Sequence, residues 1–87
     1  MQTSMTHNAH ITGKLDTNLE REEETVEAIE RALHYLRADS YECIYGDDEA
    51  GDLVIKLENG DDQQTIAIEA HAWPEDIFNR ILAELKI

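Results

Sequence analysis

The chain has 87 residues, contains one cysteine, and carries a net charge of −13 because 20 Asp and Glu face seven Lys and Arg. A chain of this length forms a single domain with a compact core, and one cysteine cannot close a disulfide within it. A negative charge of this size disfavours direct contact with nucleic-acid phosphates or an anionic membrane surface, and favours a basic protein surface as the partner.

The first residues have the composition of a flexible tail. Residues 1–14 are polar, rich in Thr, Asn and His, and show no hydrophobic period. We therefore predict a flexible N-terminal tail over residues 1–16 and one α+β domain over residues 17–87. His7 and His10 lie three residues apart, but no third ligand of the usual type is near them, so we predict no metal site and no cofactor.

The first predicted helix is amphipathic and acidic at its start. The segment Thr17-Asn18-Leu19-Glu20 has the form of a capping box, with Thr17 as the N-cap residue. Apolar residues then recur at helical spacing to about Ala38, at Leu19, Val26, Ile29, Leu33 and Leu36. Glutamates crowd the first two turns, where the helix dipole offsets part of their repulsion: Glu20, Glu22, Glu23 and Glu24.

Three short apolar segments between Tyr41 and Ala70 predict an antiparallel β-meander, with strands at 40–46, 52–58 and 64–71. Tyr41, Cys43 and Tyr45 share one face of the first strand, and Ile44 lies on the other, so either face could be buried. We place the tyrosine face towards the core.

The register of the last two strands depends on the turn between them. A two-residue Asn59-Gly60 turn would set Ile55 opposite Gln64. A four-residue turn over 59–62 instead sets Ile55 opposite Ile66. We prefer the longer turn, because apolar cross-strand pairs hold a register.

The segment Trp73-Pro74-Glu75-Asp76 predicts the start of a second helix, since proline suits the first helical position and acids suit the first turn. The apolar face of this helix comprises Ile77, Phe78, Ile81, Leu82 and Leu85. We expect Trp73 to pack over the edge of the core and not to stand exposed as a partner contact. The predicted fold is α-β-β-β-α, a three-stranded antiparallel sheet packed against two helices.

This element order resembles that of double-stranded RNA-binding domains over about residues 18–87. The resemblance includes none of the motif residues of those domains. The second predicted helix opens with Glu75-Asp76, where those domains present lysines, so RNA binding is not implied.

Chain direction predicts that three acidic segments meet at one end of the domain. A helix joined to the next strand by a short connection runs antiparallel to it, so the start of the first helix, the turn over 46–52 and the start of the second helix share one end. We predict the ten carboxylates of these segments as the partner-binding residues: Glu20, Glu22, Glu23, Glu24, Asp47, Asp48, Glu49, Asp52, Glu75 and Asp76.

Three interpretations of this acidic end compete. It can be a solvated surface that only keeps the protein in solution. It can bind a cation, although residues 47–58, which end in Glu as a calcium loop does, lack Gly at the sixth position. It can also act as a decoy that occupies the Lys/Arg-lined groove of a nucleic-acid-binding protein.

We favour the decoy hypothesis, a non-enzymatic inhibitor that mimics nucleic-acid phosphates. Anti-CRISPR and anti-restriction proteins of phages and mobile elements offer an analogy in charge and size, without a shared motif. The alternative is a small acidic housekeeping, immunity or adaptor domain, whose charge reflects solubility or adaptation to high salt. No catalytic residue is predicted, because no Ser, Cys or Lys stands beside a plausible base and no glycine-rich phosphate loop is present.

The sequence carries no signal for a membrane or for export. No stretch approaches the ~18 apolar residues that a membrane span needs, and the N-terminus lacks the basic-then-apolar pattern of a signal peptide. A cytoplasmic location is the resulting expectation.

Overall fold

The computed structural model of the chain describes residues 10–16, 19–69 and 72–85. Four strands lie in these residues: β1 (Ile11–Lys14), β2 (Glu42–Asp47), β3 (Leu53–Asn59) and β4 (Asp62–Ile68). The helices are α1 (Glu22–Tyr35), which a single 3-10 turn at Leu19–Arg21 precedes, and α2 (Pro74–Glu84). Neither helix of the described part has the length and apolar character needed to cross a membrane.

The strands form one mixed sheet in the order β1-β2-β3-β4. β1 runs parallel to β2, from Ile11 opposite Cys43 to Lys14 opposite Gly46, whereas β2, β3 and β4 are antiparallel to one another. Parallel neighbours need a crossover connection, and α1 supplies it. The first half of the domain is therefore a βαβ unit.

The prediction of a three-stranded antiparallel sheet is wrong in one respect, because β1 adds a fourth strand that runs parallel to β2. This strand lies inside residues 1–16, the segment expected to be a flexible tail; residues 1–9, with His7, lie outside the described part. A four-residue strand with one buried side chain, Ile11, shows no period of two, and its pairing partner lies far along the chain. The parallel strand also separates this fold from the element order of double-stranded RNA-binding domains.

The predicted register of the meander is confirmed. Leu53 pairs with Ile68 and Ile55 pairs with Ile66. The pairing continues to Asn59 opposite Asp62, so the turn is shorter than predicted although the register is the same.

The tyrosine face of β2 points into the core, as predicted. Tyr41, Cys43 and Tyr45 are buried, whereas the Ile44 side chain is 52% exposed on the opposite face of the sheet. Both helices pack against the buried face, and no helix of the described residues covers the other face. The core combines side chains of the sheet and of both helices: Val26, Ile29, Ala32, Leu33, Cys43, Ile55, Leu57, Ile66, Ile68, Ile77 and Ile81.

α1 is shorter than predicted at both ends. It begins at Glu22 and has no side-chain N-cap; the predicted N-cap residue Thr17 lies outside the described residues. It ends before Ala38 because Arg37 adopts a left-handed φ of 59°. The Arg37 N–H donates to the His34 carbonyl, and the Ala38 N–H donates to the Leu33 carbonyl at 2.7 Å, which is the Schellman pattern. Glycine usually occupies this left-handed position, so an arginine there does not indicate the end of a helix.

Candidate functional site at the acidic end

The C-terminal ends of β1 and β2 and the N-terminal ends of both helices lie together, at what we call the acidic end. The Asp16 N–H donates to Asp47 Oδ2 at 2.8 Å, which joins the segment after β1 to the end of β2. The Arg21 guanidinium lies 4.5 Å from the centroid of the Trp73 ring, which joins the starts of α1 and α2.

All ten predicted partner-binding carboxylates belong to the segments that meet here. Three of them, Glu22, Asp47 and Asp52, are half-buried. The other seven are exposed: Glu20, Glu23, Glu24, Asp48, Glu49, Glu75 and Asp76. Partner binding by these residues stays a prediction.

Glu22 binds the first helix to the sheet. Its Oε2 accepts a hydrogen bond from the Leu15 N–H at 3.1 Å and another from the Tyr45 hydroxyl at 2.9 Å. Burial, and then the bond to Glu22, raise the pKa of Tyr45, so its hydroxyl remains a donor at neutral pH. Glu22 therefore stabilises the junction of β1, α1 and β2, a role that the sequence did not indicate.

We expect Tyr45→Phe to lower the free energy of unfolding by about 1–2 kcal/mol, because a hydrogen bond to a charged acceptor is lost. Urea unfolding measures this change. In a double-mutant cycle with Glu22→Gln, the two losses should be less than additive.

Tyr35→Phe is the matched control for this cycle, because the Tyr35 side chain is 70% exposed. It should change the stability by less than about 0.5 kcal/mol. Fully additive losses for the Tyr45 and Glu22 variants would contradict the coupling.

The turn between β2 and β3 is held by Asp48. Its Oδ1 accepts hydrogen bonds from the Ala50 and Asp52 N–H groups, both at 2.9 Å, and its own N–H donates to the Asp52 carbonyl at 3.0 Å. This network gives the acidic turn a defined shape, with the exposed Glu49 inside it.

The calcium-loop interpretation of residues 47–58 is wrong. The second half of this segment forms β3, which starts at Leu53. In the first half, Asp48 Oδ1 accepts a hydrogen bond from the Ala50 N–H within the turn. Among the residues that the structure describes, no group of three or more His, Cys, Asp and Glu is placed to hold a metal ion.

Trp73 departs from the prediction that it packs over the core edge. Its side chain is 67% exposed, and Arg21 lies over the ring. Trp73 is the N-cap residue of α2, and its N–H donates to Asp76 Oδ2 at 3.4 Å. The apolar face of α2 starts only at Ile77, so the helical period could not place the side chain that precedes the helix.

Two side chains that could take part in chemistry, Cys43 in β2 and Tyr41 directly before it, are buried. Burial raises the pKa of Cys43 to about 12, so the thiol is protonated at neutral pH and is a poor nucleophile. The Tyr41 hydroxyl donates to Asp62 Oδ2 at 2.8 Å, and this bond raises the pKa of Tyr41.

A groove of about 1070 Å³ lies away from the acidic end, around the C-terminal half of α1. Sequence reasoning missed it, because one wall begins at His10 in the segment assigned to the tail. Its lining mixes both signs of charge with aromatic rings: His10, Glu27, Glu30, Arg31, Tyr35 and Phe78 are among its residues.

Comparison with protein-family models, with curated proteins and with solved structures gave no match for this chain.

Proposed function

We propose that this protein is a non-enzymatic inhibitor, which presents carboxylates in place of nucleic-acid phosphates and occupies the Lys/Arg-lined groove of a nucleic-acid-binding protein. The observation that carries the proposal is the gathering of carboxylates from three separate segments at one end of the fold. Such a concentration of charge accelerates association with a cationic groove.

The electrostatics of the acidic end support this role. Its described segments contain eight exposed carboxylates, the seven predicted ones and Asp16, and two basic residues, Lys14 and Arg21. Arg21 lies over the Trp73 ring and 3.9 Å from Glu24, so its charge is engaged within the end itself. The surface that a partner meets is therefore strongly negative.

The rigidity of the acidic end also supports the proposal. Glu22, Asp48 and Asp76 accept hydrogen bonds from backbone N–H groups, and these bonds fix the three segments that carry the exposed carboxylates. Groups that are already fixed lose little conformational freedom on binding, so more of the attraction contributes to affinity.

The proposal includes a place of action and a functional class. The grooves that it targets belong to proteins that handle nucleic acid inside cells, which suits the cytoplasm. Inhibitors of restriction or CRISPR nucleases, encoded by phages and mobile elements, are the class whose mode of action it would share.

A displacement assay tests the proposal. Fluorescently labelled DNA is bound to each member of a panel comprising a restriction endonuclease, a CRISPR nuclease and a single-stranded-DNA-binding protein, and this protein is titrated in. We expect displacement from at least one member, with an apparent inhibition constant that rises about tenfold or more between about 50 and 500 mM salt, because salt screens the attraction. Displacement from no member, or displacement independent of salt, would contradict the proposal.

A thermal melt separates the proposal from adaptation to high salt. An inhibitor that acts by its charge must fold in dilute buffer, where the attraction is strongest. A domain that folds only in molar salt would support the alternative.

A further inference from the structure

Trp73 is an exposed aromatic side chain at the acidic end. The other large apolar side chains exposed in the described part are Tyr35 and Ile44. Tyr35 is the last residue of α1, at the far end of that helix, and Ile44 lies on the open face of the sheet. Trp73 thus places a large ring beside Glu75 and Asp76, at the start of α2.

The indole is held in place before any partner arrives. The Trp73 carbonyl accepts the Ile77 N–H at 3.0 Å in the first turn of α2. The Arg21 guanidinium covers one face of the ring at 4.5 Å, and most of the remaining indole surface is open to solvent. An aromatic side chain that is already oriented loses few rotamers on binding.

We infer that Trp73 takes the place of a nucleobase beside carboxylates that take the place of phosphates, and that the partner is a protein that binds single-stranded nucleic acid. This inference rests on the proposed function. Grooves for single strands combine Lys and Arg with aromatic side chains, on which unpaired bases stack. Grooves for duplex DNA contact phosphates and base edges, because the paired bases remain stacked on one another.

Charge and ring therefore select the partner together. The exposed carboxylates around Trp73 attract a cationic groove. The solvent-exposed surface of the indole then stacks on an aromatic ring or an Arg guanidinium inside that groove. A duplex-binding groove would use the carboxylates and gain nothing from the indole.

Two lysine-rich peptides of equal length and charge test the inference, one with interspersed Phe and one with Leu at the same positions. Anisotropy of the labelled peptides measures their binding. We expect the Phe peptide to bind at least about fivefold tighter than the Leu peptide, the low end of what stacking contributes. Trp73→Ala should remove this preference and leave the affinity for the Leu peptide within about twofold, because the carboxylates remain.

Two further variants control the experiment. Trp73→Phe retains a ring and should retain the preference, which guards against a loss caused by misfolding. Tyr35→Ala removes an equally exposed ring away from the acidic end and should leave the preference unchanged.

The displacement assay gives a second measurement. Trp73→Ala should raise the concentration needed to displace a single strand from its binding protein by about fivefold or more, and should leave displacement of duplex DNA from a restriction endonuclease unchanged. Salt-sensitive binding of both peptides without a preference would overturn the inference and leave the proposed function in place. Binding of neither peptide would overturn both.

Discussion

Replacing Glu23, Glu49 and Glu75 by lysine is expected to weaken binding to a basic partner by about 100-fold at low salt. Each of these exposed side chains comes from a different segment of the acidic end. A reversal turns an attraction into a repulsion worth about 1 kcal/mol at an exposed site, and three reversals together approach 100-fold. Displacement of labelled nucleic acid from the partner measures the change.

The choice of residues follows from the hydrogen bonds of the acidic end. Glu22, Asp47 and Asp48 accept backbone N–H groups, so reversing them would disturb the fold as well as the charge. Lysine in the first turn of a helix opposes the dipole by about 0.3–1 kcal/mol, so the melting temperature is measured alongside. Glutamine at the same positions removes charge without reversing it and should give about half the loss of binding free energy.

Asp39→Lys, Glu42→Lys and Asp61→Lys together form the matched control. These residues are exposed and lie at the opposite end, between α1 and β2, at the start of β2 and in the β3–β4 turn. Each reversal adds two charges, so both triple variants raise the net charge from −13 to −7. The control should lose less than about tenfold, since the length of β2, roughly 20 Å for a strand of this size, separates its charges from the acidic end and exceeds the Debye length of ~10 Å. Equal losses would show that net charge alone governs binding.

Gly13→Ala is expected to have the largest effect on stability. A Cβ at this position would lie 2.1 Å from the Tyr45 carbonyl oxygen, and the φ of +148° is one that side chains rarely adopt. β1 must then move away from β2, which uncovers Ile11 and Leu15, both buried in the native fold. Partial exposure of two such side chains, added to the strain, should lower the free energy of unfolding by about 3–5 kcal/mol.

Gly60→Ala is the control for glycine replacement as such. Gly60 also has a positive φ, of +64°, but no atom of the described residues lies within 4 Å of a Cβ there. Its loss should be limited to about 1–2 kcal/mol of backbone strain. Urea unfolding of both variants measures the difference, and a Gly13 loss no larger than the Gly60 loss would contradict the tight approach of β1 to β2.

Most of the meander could be predicted from sequence because its register is a local property. Leu53 and Ile55 can meet Ile68 and Ile66 in one register only, and the alternation of apolar residues selects it. β1 could not be predicted in this way. Its pairing with β2 follows from the βαβ crossover, and four residues with one buried side chain leave no pattern.

The location of the acidic end could also be predicted, because chain direction alone brings its three segments together. The role of each side chain within the acidic end could not be predicted. Glu22 serves the fold because Leu15 and Tyr45 donate to it, and Leu15 belongs to a segment with no predicted structure. Trp73 lies outside the helical period of α2, so only the three-dimensional contact with Arg21 shows where its ring lies.

The two edges of the sheet are unequally secured. β4 has seven residues, and Arg80 of α2 donates from Nη2 to the Ala67 carbonyl at 2.8 Å. β1 has four residues and, among the strands of the described residues, pairs with β2 alone. In native-state hydrogen exchange, the amides of β1 should therefore take up deuterium before those of β3, which is paired on both sides. Each such opening exposes the backbone edge of β2 to solvent. The domain can therefore unfold locally at β1 while β2, β3 and β4 remain paired.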